Sequence, residues 1–398
     1  MTEYEWSVRA ARLIPGGSST GSKRPAALYG EHNPGQWLPT HYTRADGCHL
    51  WLSGGQRLLD LGMALGAVGL GYADPGVTEA ARQAAASGPV SSLPHRMEVE
   101  VAELLVEMLP GAECVRFLKT GAEAGAAALR IARTLTGRTR VIACGYFGWL
   151  DWNSDAAGVP ESTREAATWV PFNDAAALRA ALAEGDAPAA IMLEPLVHEL
   201  ADVEWLSEAR RLADKSGAVL IYDEVKTAFR VRSGGVQALY GVLPDLATVG
   251  KALANGYPLA AVTGRAGVME AASHTWISST AACETVSLAA ARAVLLRHMR
   301  EDVCAGMAAA GERLKSVTSR ALALKPNSGV QALGPSVMWR LVSQQPENLD
   351  ALVRAAAGAG ILFKRGAYQF GALAHDDAAV SELEERLPGI VNQAFPES

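Results

Sequence analysis

Lys251 stands directly after the apolar segment "PDLATVG", 28 positions beyond Asp223, in a chain where only eight of 36 basic side chains are lysine. Lysine is costly to bury, so one placed at the end of such a segment suits either an ion pair or covalent amine chemistry. Asp223 and Glu224 follow "AVLIY", a run rich in β-branched and apolar residues that reads as a buried strand. In open α/β sheets ligands gather at the carboxyl ends of the strands, where these carboxylates would lie. A helix cap or an ion pair with Arg230 is the purely structural alternative for the acidic pair.

A third feature is "FLKTGAEAGAAALRIAR", a strand that passes through Thr120 and Gly121 into a helix. Such a turn aims free backbone N–H groups and the positive end of the helix dipole at one point, and a phosphate fits there. Thr120 and Glu123 also have capping-box spacing, which stabilises a helix start without any ligand. Two other phosphate motifs are absent. A GxxxxGK[ST] loop ending at Gly250-Lys251 would need Gly at Asp245 and a hydroxyl at Ala252, and Gly69-Leu70-Gly71 lacks the third glycine of a dinucleotide fingerprint.

A lysine for a Schiff base, an acid to keep a ring nitrogen protonated and a phosphate cradle are together what pyridoxal 5'-phosphate requires. On "IPGGSSTGSKRP" (14–25), "TGAEA" (120–124), "CGYFGWLDW" (144–152), "LEP" (193–195), "DEVKTAFR" (223–230), "PDLATVGKALANGYPLAAVTGR" (244–265) and "SSTAACETVSLAAA" (278–291), the chain resembles the class III aminotransferases. These are fold type I pyridoxal-phosphate enzymes, and the nearest branch in pattern is glutamate-1-semialdehyde 2,1-aminomutase. The resemblance runs nearly end to end. It implies that Lys251 bears the cofactor and that Asp223 pairs with the pyridinium nitrogen. Tyr146 would stack on one face of the ring and Val225 on the other, and the Gly121 and Ala122 backbone would hold the phosphate. Thr280 would reach that phosphate from the neighbouring subunit of a homodimer, while Glu194 and Pro195 match the strand end under the ring. Lys23 and Arg24 are the candidate substrate-binding cations. No metal is expected.

Three departures stand out. The family has a hydroxyl residue where this chain has Ala122, a histidine where it has Phe147, and small glycine-rich residues near Ala282 and Cys283. Losing one hydroxyl contact to a phosphate costs on the order of 1 kcal/mol, too little to abolish binding.

These residues need a scaffold. From about residue 73 strand-like and helix-like segments alternate, the signature of a mainly parallel sheet flanked by helices. The strand candidates are 114–119, 140–144, 190–194, 218–222 and 259–264, with helices at 122–135, 204–217 and 284–298. "DGCHLWLSGGQRLLDL" (46–61) reads as a hairpin. The expected organisation is α/β: an N-terminal segment (1–60) packing with the small domain, a large cofactor-binding domain (61–297) and a small α+β domain (298–398).

With 49% hydrophobic and 20% charged residues the chain can bury a sizeable core. A net charge of −6 and a pI near 5.8 give no footprint for nucleic acid or an anionic membrane, so small molecules are the expected partners. The acidic start "MTEYEWSVRA" and five cysteines without a CxxC pair fit a cytoplasmic protein with reduced thiols.

Three functions follow from these residues. An aminotransferase would move an amino group from a donor to a keto or aldehyde acceptor through a pyridoxamine phosphate stage. A 2,1-aminomutase would move it within one substrate. A non-catalytic protein of the same fold would be expected to lack the lysine or the aspartate, and both are present. The aminomutase's N-terminal element reads like "GGVNSPVRAF", whereas this chain has "GGSSTGSKRPAA", and "KRGAYQFGALAH" (364–375) offers no carboxylate of the aminomutase kind. The aminotransferase is therefore the favoured reading.

Overall fold

The computed structural model describes residues 3–30 and 37–396, which fall into two compact units, Pro75–Cys304 and a second built from Met1–Asp74 and Ala305–Ser398. The first unit holds a seven-stranded sheet made of β1 (Cys114–Leu118), β2 (Val141–Cys144), β3 (Ala167–Trp169), β4 (Ala190–Leu193), β5 (Val219–Asp223), β6 (Leu246–Val249) and β7 (Ala260–Gly264). Their spatial order is β1-β7-β6-β5-β4-β2-β3. The pairs among β6, β5, β4, β2 and β3 are parallel, whereas β7 runs antiparallel to both its neighbours. An antiparallel partner needs no crossover helix, which is why the short connection carrying Lys251 can join β6 to β7.

Seven helices of this unit matter for the site: α1 (Pro75–Ala86), α2 (Arg96–Met108), α3 (Gly121–Thr136), α4 (Ala175–Ala183), α5 (Val203–Ser216), α6 (Gly235–Tyr240) and α7 (Thr285–Arg300). The central strands are buried on both faces, so their residues divide by parity between two cores. Val141, Ala143, Ala190, Met192, Val219 and Ile221 join Ala124, Ala128 and Ile131 of α3. Ile142, Cys144, Ile191, Leu193, Leu220 and Tyr222 join Leu178 of α4 and Trp205, Ala209 and Leu212 of α5. Continuing the pleat, Asp223 shares the side of Val219 and Ile221, and Glu224 falls to the opposite side.

The strand candidates lie within a residue or two of the observed ones. Two strands have no counterpart in the sequence reading. β3 is only three residues long at the sheet's edge, and β6 lies in the apolar segment "PDLATVG" before Lys251, to which the sequence pattern assigns no conformation. The "LAAVTG" strand also departs from the parallel expectation, being the antiparallel β7. The helix ends are chemically well marked: Thr120 and Glu123 form a reciprocal capping box on α3, and Gly217 closes α5 in the left-handed conformation.

In the second unit, His49–Trp51 and Arg57–Asp60 form the antiparallel hairpin read from the sequence, joined by Arg44–Asp46 and Ile361–Leu362 into a four-stranded sheet. Gln331–Leu333, Trp339–Val342 and Tyr368–Gln369 make a three-stranded sheet, and the helices Pro346–Gly358 and Asp377–Ala394 pack together. Met63, Ala64 and Leu65 are consecutive non-glycine residues with φ between 39° and 60°, a locally strained turn. No helix among the described residues is long and apolar enough to cross a membrane.

Candidate active site

Lys251 begins a single 3-10 turn, Lys251–Ala254, with φ at 47°. A left-handed non-glycine residue costs roughly 1–2 kcal/mol, and such strain persists where the surroundings over-determine it. The side chain is half-buried, and its pKa is lowered to about 8, first by burial and then by the Lys226 cation, against the opposing pull of Asp223 and Glu194. A fraction of its amines is therefore neutral near physiological pH.

Asp223 ends β5 with 4% of its surface exposed. Its Oδ1 accepts the Val225 N–H at 2.9 Å. Burial, followed by the nearby Glu194 carboxylate, raises its pKa to about 7. A buried acid in this state is stabilised by a partner cation placed against it.

Glu194 lies one step beyond Leu193, which pairs with Tyr222 across β4 and β5. It is 2% exposed and divides its oxygens between two partners. Oε1 meets Lys226 Nζ at 2.5 Å, and Oε2 accepts the Tyr146 N–H at 3.2 Å. Gly145 has φ 131°, and a Cβ there would fall 2.4 Å from Glu194 Cβ, so only glycine lets the 145–148 turn rest on this carboxylate.

The turn into α3 retains backbone donors although the capping box is formed. Thr120 Oγ1 takes the Glu123 N–H at 3.2 Å and Thr120 O takes that of Ala124 at 3.0 Å. The N–H groups of Gly121 and Ala122 come before any intrahelical acceptor and point out of the first turn of α3. A Cβ on Gly121 would lie 2.9 Å from Val225 Cγ1, and one on Gly250 would lie 3.6 Å from the same methyl. Val225 thus packs between the phosphate turn and the residue preceding Lys251. A Cβ at Gly148, where φ is 101°, would fall 2.4 Å from the Ala122 methyl, so glycine is required there.

Tyr146 brings its backbone to Glu194, while its side chain is 68% exposed. Phe147, at the family's histidine position, is 1% exposed and stacks on Trp152 at 5.4 Å and Trp169 at 6.0 Å. Its ring belongs to the core. Thr280 is exposed in the segment before α7. Lys23 lies in the second unit, in a cavity of about 170 Å³ with Asp60, Tyr72 and Lys364, whereas Arg24 bonds Ser18 O at 3.4 Å outside it.

Sequence reasoning missed two participants, Lys119 and Lys226, and left Glu224 open between a site role and the helix cap that the structure shows. Glu224, wholly buried, is the cap for α6: it accepts the Val236 and Gln237 N–H groups at 3.0 Å each and the Thr227 hydroxyl. The alternation along β5 was the available signal separating it from Asp223. Lys119 joins Glu284 at 2.8 Å and Pro258 O at 2.9 Å, tying the strand before the phosphate turn to the start of α7. Lys226 was not given a role, because its partner Glu194 is far away in sequence.

The family model for class III aminotransferases matches residues 29–149 and 156–381. A glutamate-1-semialdehyde 2,1-aminomutase from Neisseria gonorrhoeae is 32% identical over 411 residues, covering 94% of this chain and 95% of that protein. One of the same name from Rhodopirellula baltica is 36% identical over 317 residues, covering 74% and 70%. Among solved structures, the Sphingopyxis sp. MTA144 FumI protein in its pyridoxal-phosphate internal aldimine form superposes with TM-score 0.91 at 27% identity over 98% of this chain and 95% of that one. An omega-transaminase from Sphaerobacter thermophilus gives 0.87 at 23% identity over 99% and 98%, a likeness of fold.

Fold and site together define a fold type I pyridoxal-phosphate enzyme. Within that class, the chain belongs to the class III aminotransferase family. The residues fit the family's cofactor: a buried acid awaiting a cation, two outward N–H donors, and glycines at 121 and 145 where a side chain would intrude.

Proposed function

We propose that this protein is an aminotransferase with separate donor and acceptor half-reactions, working as a homodimer. When bound, pyridoxal phosphate supplies an electron sink for a deprotonated substrate carbon. The chain's own residues supply the rest. Lys251 Nζ would hold the cofactor and serve as the amine that moves a proton at the substrate carbon; its lowered pKa keeps part of it neutral for that task. Asp223 would hold the ring nitrogen's proton, and Val225 and Tyr146 would pack against the ring. The N–H groups of Gly121 and Ala122 bind phosphate, with Thr280 contributing from the partner subunit. Exposure of both Tyr146 and Thr280 in the single chain supports a shared site. Lys23, in its cavity, and Arg24 are the substrate's cationic contacts. Free cysteines at all five positions support a cytoplasmic setting.

The observation that carries the choice over an aminomutase is at residues 364–375. No carboxylate occurs there, and Gln369 is fully buried and spent on its own strip. Its Oε1 accepts the Lys364 N–H at 2.8 Å and its Nε2 donates to Lys364 O at 2.8 Å. No carboxylate is left in that segment to retain an intermediate between two half-reactions.

A single-turnover experiment tests this. An amino donor alone should change the cofactor's absorbance and release up to one equivalent of keto product per site, and a separate acceptor should restore the starting spectrum. Steady isomerisation of one amino compound with no acceptor would make the protein a mutase.

A further inference from the structure

We propose that Lys226 is a positioning residue of this site: it neutralises Glu194, so that the carboxylate can orient the Tyr146 turn without placing a net negative charge beside the Lys251 nitrogen. The inference rests on the reading that Lys251 carries the cofactor.

The geometry is that of a three-part relay. Glu194 is anchored at the end of β4 and faces two donors, the Tyr146 N–H at 3.2 Å and Lys226 Nζ at 2.5 Å. Both side chains of the ion pair are largely enclosed, at 10% and 3% exposure. A buried carboxylate with only a backbone N–H would be strongly disfavoured, and a fixed ion pair inside the protein acts on its neighbours with little screening. Lys226 lies three positions after Asp223, so the same short segment delivers the acid of the site and the counter-ion of the second acid.

The charges around Lys251 are Asp223 and Glu194 on one side of the balance and Lys226 and Arg230 on the other. Glu194 in turn acts on Asp223 and on the Cys144 thiol, which burial and this carboxylate push up to about 12. Removing Lys226 alone would both delete a like charge near Lys251 and expose the full charge of Glu194. The two changes have the same sign. Removing Glu194 alone would delete the carboxylate while leaving the Lys226 charge in place, and would act in the opposite direction.

A purely structural ion pair would hold the fold and leave Lys251 unaffected, so the test reads the charge state of Lys251. Cofactor-free wild type, Lys226→Met, Glu194→Gln and the double variant are labelled with a trace amine reagent across pH, and the extent at Lys251 is measured by peptide mass. Lys226→Met should raise the midpoint of Lys251 by about one unit or more, Glu194→Gln should lower it, and the double variant should lie within about half a unit of wild type. Lys226→Arg keeps the charge and should keep the midpoint. If Lys226→Met does not fold, Glu194→Gln and the double variant carry the test by the same pattern. Midpoints unchanged among the folded variants, or equal in the single and double variants, overturn the role. In the holoenzyme the cofactor absorbance should titrate with the same pattern. A wild type that forms no lysine-linked cofactor at all would instead defeat the parent reading, while the labelling result would stand.

Discussion

Asp223 and Lys251 depart from their ordinary pKa values in opposite directions for one reason: burial disfavours whichever form is charged, so the acid is raised to about 7 and the amine lowered to about 8. For Asp223 this has a thermodynamic consequence in the cofactor-free protein. Between its unfolded value and about 7 the folded state binds the extra proton, so its contribution to stability is fully present below about pH 4 and is lost as pH rises through 7. Asp223→Asn removes that slope. Thermal unfolding of both cofactor-free proteins should show the variant gaining on wild type by on the order of 2 kcal/mol between about pH 5 and pH 8. A constant difference across that range would mean that Asp223 ionises normally. The two residues were legible in the sequence because an acid at a strand end and a lysine after an apolar run are rare choices. The charges that tune them were not, since Glu194 and Lys226 meet only when β4 and β5 lie side by side.

Among the elements, the turn into α3 shows how tightly backbone and cofactor cradle are linked. Gly121 is a glycine for want of space: a Cβ would meet Val225 at 2.9 and 3.1 Å, closer than carbon atoms tolerate. Gly121→Ala should therefore displace the turn's two N–H donors and weaken cofactor binding about tenfold or more, about 1.4 kcal/mol, by absorbance titration. Val225→Ala in the same chain should make room and recover most of that loss. Wild-type affinity in Gly121→Ala would refute the packing argument. Strand ends were readable to within a residue or two, because β-branched runs mark the buried strands. β3 and β6 escaped for different reasons, the first by its brevity and edge position, the second because it is only four residues long, follows Asp245 and is interrupted by Thr248. Asp245 is nevertheless paired, with Arg210 at 3.0 Å and with Arg265.

At the scale of the molecule, the sequence pattern carried the layered α/β architecture, while the strand order and the reversal of β7 depend on long-range pairing that no local window contains. The proposed homodimer would cover the exposed Thr280 and Tyr146 with a second copy of the chain, which lies beyond what one sequence displays. The central claim nevertheless rests on one atom, Lys251 Nζ. Borohydride reduction of the intact holoenzyme, followed by digestion and peptide mapping, reads it directly. The expected result is a single cofactor adduct on the peptide containing Lys251. An adduct on Lys226 or another lysine, or none in a protein that binds the cofactor, would contradict the account.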